Sequence, residues 1–211
     1  MSIFRLRNFF TTGLTSMILA AGSVTAATAA SAAEQGVRVR GTIVSVSDNR
    51  LEVKSREGQS INVRLTDGWK ASAVKKASFS DIKTGDFVGI ASLPRSEGGD
   101  GALEVLIFPP ALKGQGEGSY GWDLKPNSTM TNATVGDSVK SVDGSVVTLN
   151  YHGKEKKISV PDGTPVVTLA PATREDVKPG TVVFIPAQKA ADGTLSAGQL
   201  LVGKDGVVPP M

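Results

Sequence analysis

The sequence predicts an all-β protein made of two tandem OB-like (Greek-key) β-barrels, and three observations carry that prediction. Apolar and polar residues alternate with a period of two through most of the chain beyond its N-terminal stretch, the pattern of strands with one buried face. Turn pairs such as Glu57-Gly58, Asp67-Gly68, Asp143-Gly144 and Asp162-Gly163 interrupt the alternation at short intervals, as hairpins require. Landmarks also recur: Asp81 to Asp176, Gly85 to Gly180 and Asp67-Gly68 to Asp162-Gly163 are each 95 positions apart, and Asp100-Gly101 matches Asp192-Gly193 to within three. Ordered matches at one offset read as a tandem repeat.

The elements follow in chain order. Arg5 and Arg7 precede an apolar run containing Leu14, Met17, Ile18 and Leu19, and a small-residue stretch from Ala20 to Ala33 follows. That is the layout of a cleavable export signal, with Ala30-Ser31-Ala32 or Ala27-Thr28-Ala29 meeting the small-residue requirement at the cleavage site. Residues 1–32 are therefore assigned to the signal, which implies a periplasmic location. The run is broken by Thr and Gly and falls short of the ~20 apolar residues a spanning helix needs, so no transmembrane segment is expected in the mature chain.

In the first repeat, residues 33–112, Val37, Val39 and Ile43 share one parity while Val44 and Val46 share the other, with Gly41 between. A parity switch beside a glycine marks a bulge in a strongly bent strand. Leu51 and Val53, then Ile61, Val63 and Leu65, form a hairpin about Glu57-Gly58. Ser80 to Gly85 is a polar segment with one helical turn, and two further strands follow. Trp69, just after a turn, reads as a barrel-closing core residue. The second repeat, residues 132–211, follows the same plan through Val147, Leu149 and Tyr151, the turn at Gly153-Lys154, and Ile158 and Val160. Five short strands and one helical turn per repeat suit the OB-like barrel. A pair of SH3-like barrels or a single sandwich of all ten strands is the competing architecture.

Charge narrows the partners. The chain has 23 Lys and Arg against 20 Asp and Glu, and removing Arg5 and Arg7 with the signal leaves 21 against 20. The halves are balanced too, with 11 basic and 10 acidic residues in 33–112 and 10 of each in 113–211. A nucleic-acid binder needs a cationic excess to displace counterions, so nucleic acid is excluded as a partner. The local excess of Arg38, Arg40, Arg50, Lys54, Arg56 and Arg64 over Asp48, Glu52 and Glu57 reads as a solvated strand face.

Chemistry is sparse. There is no Cys and one His, which removes disulfides, thiolate metal sites and cysteine nucleophiles. His152 follows Tyr151 beside the Gly153 turn and is expected to face solvent. The acidic residues Asp48, Asp143, Asp162 and Asp192 sit singly in turns, so no metal site is predicted. No phosphate-cradling glycine motif is present, and a Ser or Thr nucleophile lacks a positioned base. No catalytic residue and no cofactor are therefore assigned. Glu117 and Asp123 are the carboxylates a glycosidic mechanism would need, on a weak signal.

The unusual stretch is the connector, residues 113–131. It is glycine-rich, with Gly114, Gly116, Gly118 and Gly121, yet it holds Tyr120, Trp122 and Met130, which flexible linkers avoid. Tyr120, Trp122, Asp123, Met130 and Asn132 are the candidate ligand-binding residues. Tyr120 and Trp122 either form a stacking platform for a ligand or cover a barrel edge and lock the repeats together.

Val39 to Val46, Asp81 to Ile90, Gly116 to Gly118, Ser128 to Val135 and the terminal Val202 to Met211 together resemble a family of exported proteobacterial proteins, common in rhizobia and their relatives and classed as a domain of unknown function. The resemblance covers essentially the whole mature chain. It implies a periplasmic OB-like protein without assigned site residues. Some relatives bear the label of metal ABC transporter permease, which implies at most a role accessory to a transporter. The expected function is a non-catalytic binding or interaction module whose partner is a protein or small molecule of the cell envelope. The alternative is an envelope structural or stress-tolerance factor.

Overall fold

The computed structural model describes residues 35–141 and 144–209, so the export signal and Asp143 lie outside it. Among the described residues there are twelve strands: β1 (Gln35–Ser47), β2 (Arg50–Ser55), β3 (Ser60–Ala77), β4 (Phe87–Pro94), β5 (Asp100–Ile107), β6 (Gly118–Gly121), β7 (Thr129–Ser141), β8 (Gly144–Tyr151), β9 (Lys154–Val160), β10 (Val166–Pro171), β11 (Val182–Lys189) and β12 (Leu195–Gly203). Three short 3-10 turns join them, at Phe79–Asp81, Pro110–Leu112 and Arg174–Asp176. The protein is all-β, and no helix among the described residues is long and apolar enough to cross a membrane.

The alternation read from the sequence sets the buried faces. Val39, Ile43, Leu51, Val53, Val63 and Leu65 are all at most 2% exposed and pack in one cluster with Val183, Ile185, Ala187, Leu200 and Val202. Around that cluster the strands close. β1 pairs with β2 and β11, β2 with β3, β11 with β12, and β12 returns to β3 in parallel from Leu195↔Val63 to Gly203↔Val74. A three-strand meander, a fourth strand on the first and a fifth parallel to the third is the OB-like barrel connectivity.

A second ring of pairings surrounds Ile90, Val105, Val135, Val147, Leu149 and Ile158. It runs β5–β4–β7–β8–β9 and meets itself in parallel at Asp100↔Ile158 and Gly101↔Ser159. Between the two, Val74, Leu106 and Val167 form a third apolar cluster with Phe108, Leu169 and Leu201.

The expectation that 33–112 and 132–211 each close a barrel differs from these pairings. The closed barrel takes β1–β3 from the first segment and β11–β12 from the second, while β4–β5 of the first segment join β7–β9 of the second. The reason lies in the length of β3. After Leu65 it stays extended to Ala77, and Ser72–Ala77 pair antiparallel with β10, which itself lies parallel to β5. At about 3.3 Å per residue, that extension carries the chain away from its own meander before it can turn back. All the described residues fall within one compact unit, Ala32–Met211.

Two local devices shape the first strand. The β1–β2 register shifts between Ile43 and Ser45, the bulge that the parity switch predicts, and it leaves Val44 47% exposed. Gly41 is required for a separate reason: a Cβ there would collide with the backbone carbonyl of Lys54. β7 carries a matching shift between Val135 and Asp137. Trp69 lies in the barrel core, 8% exposed, with the Arg174 guanidinium 4.8 Å from its ring centroid.

Candidate functional site

The connector becomes ordered because it acquires backbone partners. Gly118–Gly121 form β6 and pair with β7 from Gly118↔Asn132 to Gly121↔Thr129, and the Trp122 N–H donates to the Ser128 carbonyl at 2.8 Å. Ser128 is buried, and its hydroxyl donates to the carbonyls of Lys125 (2.7 Å) and Trp122 (3.0 Å). That short loop presents Tyr120, Trp122 and Asp123 together.

Trp122 meets the closed barrel. The Arg38 guanidinium lies 3.8 Å from its ring centroid and that of Arg40 lies 5.9 Å away. Arg40 Nη2 bonds Asp123 Oδ1 at 2.7 Å, with Arg38 Nη1 at 3.6 Å from the same oxygen. Both arginines come from β1, so the connector is clamped onto the first ring. Their expected role as a solvated strand face does not hold: the Arg40 side chain is only 11% exposed, since Trp122 and Phe184 flank it. Partial burial pushes the Asp123 carboxyl upward, but the Arg40 hydrogen bond and the two guanidinium charges outweigh it and hold the group below its ordinary value. The Trp122 indole Nε1 is buried with no hydrogen-bond partner.

Tyr120 meets the second ring. Its hydroxyl accepts a hydrogen bond from Asn132 Nδ2 at 3.0 Å, and its ring stands edge-on to Trp122 at 6.1 Å. Burial raises its hydroxyl pKa, against the opposing charge of Arg38. The residue remains 39% exposed. Asn132 has room to reach it because glycines lie against its amide: a Cβ at Gly89 would sit 2.7 Å from Oδ1 and one at Gly116 3.2 Å from Nδ2. Met130, the register partner of Tyr120, is 3% exposed and forms the floor.

The five sequence-predicted residues therefore lie in one patch, but in different states. Tyr120 and Asp123 are exposed, Trp122 is partly covered by Arg38, and Met130 and Asn132 are buried. Arg38, Arg40 and Phe184 belong to the same patch and were missed. Arg38 and Arg40 lie two apart on one face of a strand, and only the fold brings an indole to them. Phe184, 5% exposed, faces away from the barrel core and lines a cavity of about 130 Å³ between the two rings, with Leu106, Phe108, Leu169 and Leu201, and with polar walls from Ser72, Gln115 and Gln199. The Gln115 carbonyl also lies 3.5 Å from Asn132 Nδ2, so the cavity and the Tyr120 patch share a wall.

His152 is exposed beside its turn, and its backbone N–H donates to Glu117 Oε1 at 3.0 Å. Glu117 thus holds a turn and Asp123 an arginine pair. Among the described residues, no group of three or more His, Asp or Glu side chains could hold a metal ion. Comparison with known proteins supplies no relative: no family model, curated sequence or solved structure matches this chain.

Proposed function

We propose that the protein is an exported, periplasmic, non-catalytic interaction module that engages a partner of the cell envelope through the Tyr120–Trp122 patch and the adjoining cavity. One observation carries the reading: an exposed tyrosine, a guanidinium-stacked tryptophan and a paired aspartate lie together beside an apolar cavity whose Gln115 and Phe184 contact their partners Asn132 and Arg40. Tyr, Trp and Arg are the residues on which interfaces concentrate their energy. A volume of about 130 Å³ is well below the ~300–1,000 Å³ of small-molecule sites. It takes one apolar side chain rather than a whole ligand, which favours a protein partner.

The second reading, an envelope structural factor, draws on the same contacts. Trp122 and Asp123 tie the connector to β1 while Tyr120 ties it to β7, so the patch also braces the two rings. The two readings separate at Tyr120, whose exposed ring contributes less to the fold than Trp122. Capture from periplasmic extract with wild type and Tyr120→Ala, alongside thermal melts, tests them. The expected result is a partner recovered by wild type and lost with Tyr120→Ala at an unchanged melting temperature. Identical recovery by both proteins overturns the binding reading and leaves the structural one.

A further inference from the structure

A second charged locus lies on the closed barrel, apart from the connector. Arg50 on β2 and Arg64 on β3 are register partners across the antiparallel ladder. Like charges directly opposite each other are destabilising. Both side chains are exposed, and no carboxylate lies within ion-pair distance of either among the described residues. Two grooves share this pair. One, of about 460 Å³, runs from Arg50, Asn62 and Arg64 to the β11–β12 turn at Asp192. The other, of about 290 Å³, runs from the same arginines to the β1–β2 turn at Asp48 and Asn49. The result is a trough across the second and third strands, bounded by the turns after the first and fourth strands of the ring. In barrels of this connectivity, that face holds oligonucleotides and oligosaccharides.

The lining chooses between them. Each guanidinium offers a fork of donors matched to a carboxylate. Asp48 and Asp192 stand at opposite ends of the trough and would face the phosphates of a nucleic acid, which carries a negative charge at every residue. Toward a sugar chain the same carboxylates are acceptors for hydroxyl groups, as is the amide of Asn62. Asp192 is already fixed for that role, because its Oδ1 accepts the Thr194 N–H at 2.8 Å. Glu52, the next outward residue along β2, accepts the Ser45 and Ser60 hydroxyls and lies outside ion-pair distance of either arginine.

We propose that the Arg50–Arg64 trough binds an oligosaccharide with a uronate isolated among neutral sugars, the two guanidiniums taking the uronate carboxylate and Asp48, Asp192 and Asn62 taking hydroxyls of the flanking sugars. The test titrates the folded mature chain with a xylo-oligosaccharide bearing a single glucuronate, the same xylo-oligosaccharide without it and a single-stranded DNA oligonucleotide, following the backbone amides by NMR. The expected result is saturable shifts confined to β2, β3 and the two bounding turns with the glucuronate-bearing oligosaccharide alone. Loss of one charge-assisted contact, about 1.5–3 kcal/mol, converts to a weakening of roughly ten- to a hundredfold for Arg50→Gln or Arg64→Gln. Arg64→Lys, which keeps the charge but loses the fork, is expected to bind at intermediate strength, and no variant should melt below wild type, because the residues are exposed and either glutamine relieves the repulsion across the ladder. Absence of saturable shifts, equal binding of the neutral oligomer, tighter binding of the DNA, or unaltered affinity in the glutamine variants would each overturn the assignment.

Discussion

Val74 and Leu169 face each other across the antiparallel β3–β10 ladder, and they are 95 positions apart. That is the offset separating Asp81 from Asp176, and the two aspartates do the same work: each Oδ2 accepts the N–H of the residue three positions earlier, Ser78 or Thr173, at 2.8 Å. An offset pair that meets itself across an antiparallel ladder sits on a local two-fold axis. The two segments therefore exchange their last two strands about the Val74–Leu169 contact.

Segment expression tests the exchange. Residues 33–112 lack the strands that pair with β1 and close onto β3, and residues 132–211 lack the β4 strand that pairs with β7. Neither segment alone is expected to melt cooperatively, whereas the equimolar mixture should form a folded one-to-one complex by sedimentation and NMR dispersion. A folded monomer of 33–112 alone would contradict it.

The Asp123 clamp has a pH signature. Its folded pKa lies below the ordinary 3.8, so its contribution to stability is fully present above that value and is lost as pH falls through the folded pKa. Melts of wild type and Asp123→Asn should differ most near neutral pH and begin to converge only as pH falls below about 4. A gap that stays constant down to strong acid would remove the arginine pairing as its cause. The gap should also be modest, because the Asp123 side chain is 49% exposed and solvent screens it.

Gly89→Ala is expected to separate the patch from the fold. A Cβ at that position lies 2.7 Å from Asn132 Oδ1 and 3.1 Å from the Phe108 ring. The asparagine amide must move, breaking its bond to Tyr120. Overpacking of this kind costs about 1–3 kcal/mol, measurable by urea denaturation, and the Tyr120 ring resonances should shift with it.

Leu106 is 2% exposed and belongs to the apolar cluster between the rings. Leu106→Ala removes side-chain volume from the wall of the inter-ring cavity, at a cost of about 2–5 kcal/mol. If the two rings unfold as one cooperative unit, a single transition moves down. A single transition is expected, because the β3–β10 ladder and the connector also bridge the rings; two resolved transitions would make the cluster the dominant coupling.

Much of the fold was legible because the alternation of Leu51, Val53, Val63 and Leu65 states which face is buried. The same alternation does not state against which strand. Val183, Ile185 and Ala187 present an apolar face that suits β1 or β7 alike, so the exchange was invisible in the pattern. The connector was legible through its aromatic residues, which have no use in a free linker. Its contacts were not, because Arg38 and Arg40 look like solvent-facing charges until the fold places Trp122 between them and water.

The pairing of β1 with β11 joins Gln35 to Lys189 at one end of a ladder that runs to Thr42 and Val182. Because the closing strands come from the far end of the chain, loop-closure entropy must be overcome before any barrel contact repays it, and such non-local topologies fold slowly. A chain threaded outward from its N-terminus would have β1, β2 and β3 waiting as an open meander until β12 emerged. Synthesis order and folding order are thereby uncoupled, and the last strand to appear acts as the latch for the first three.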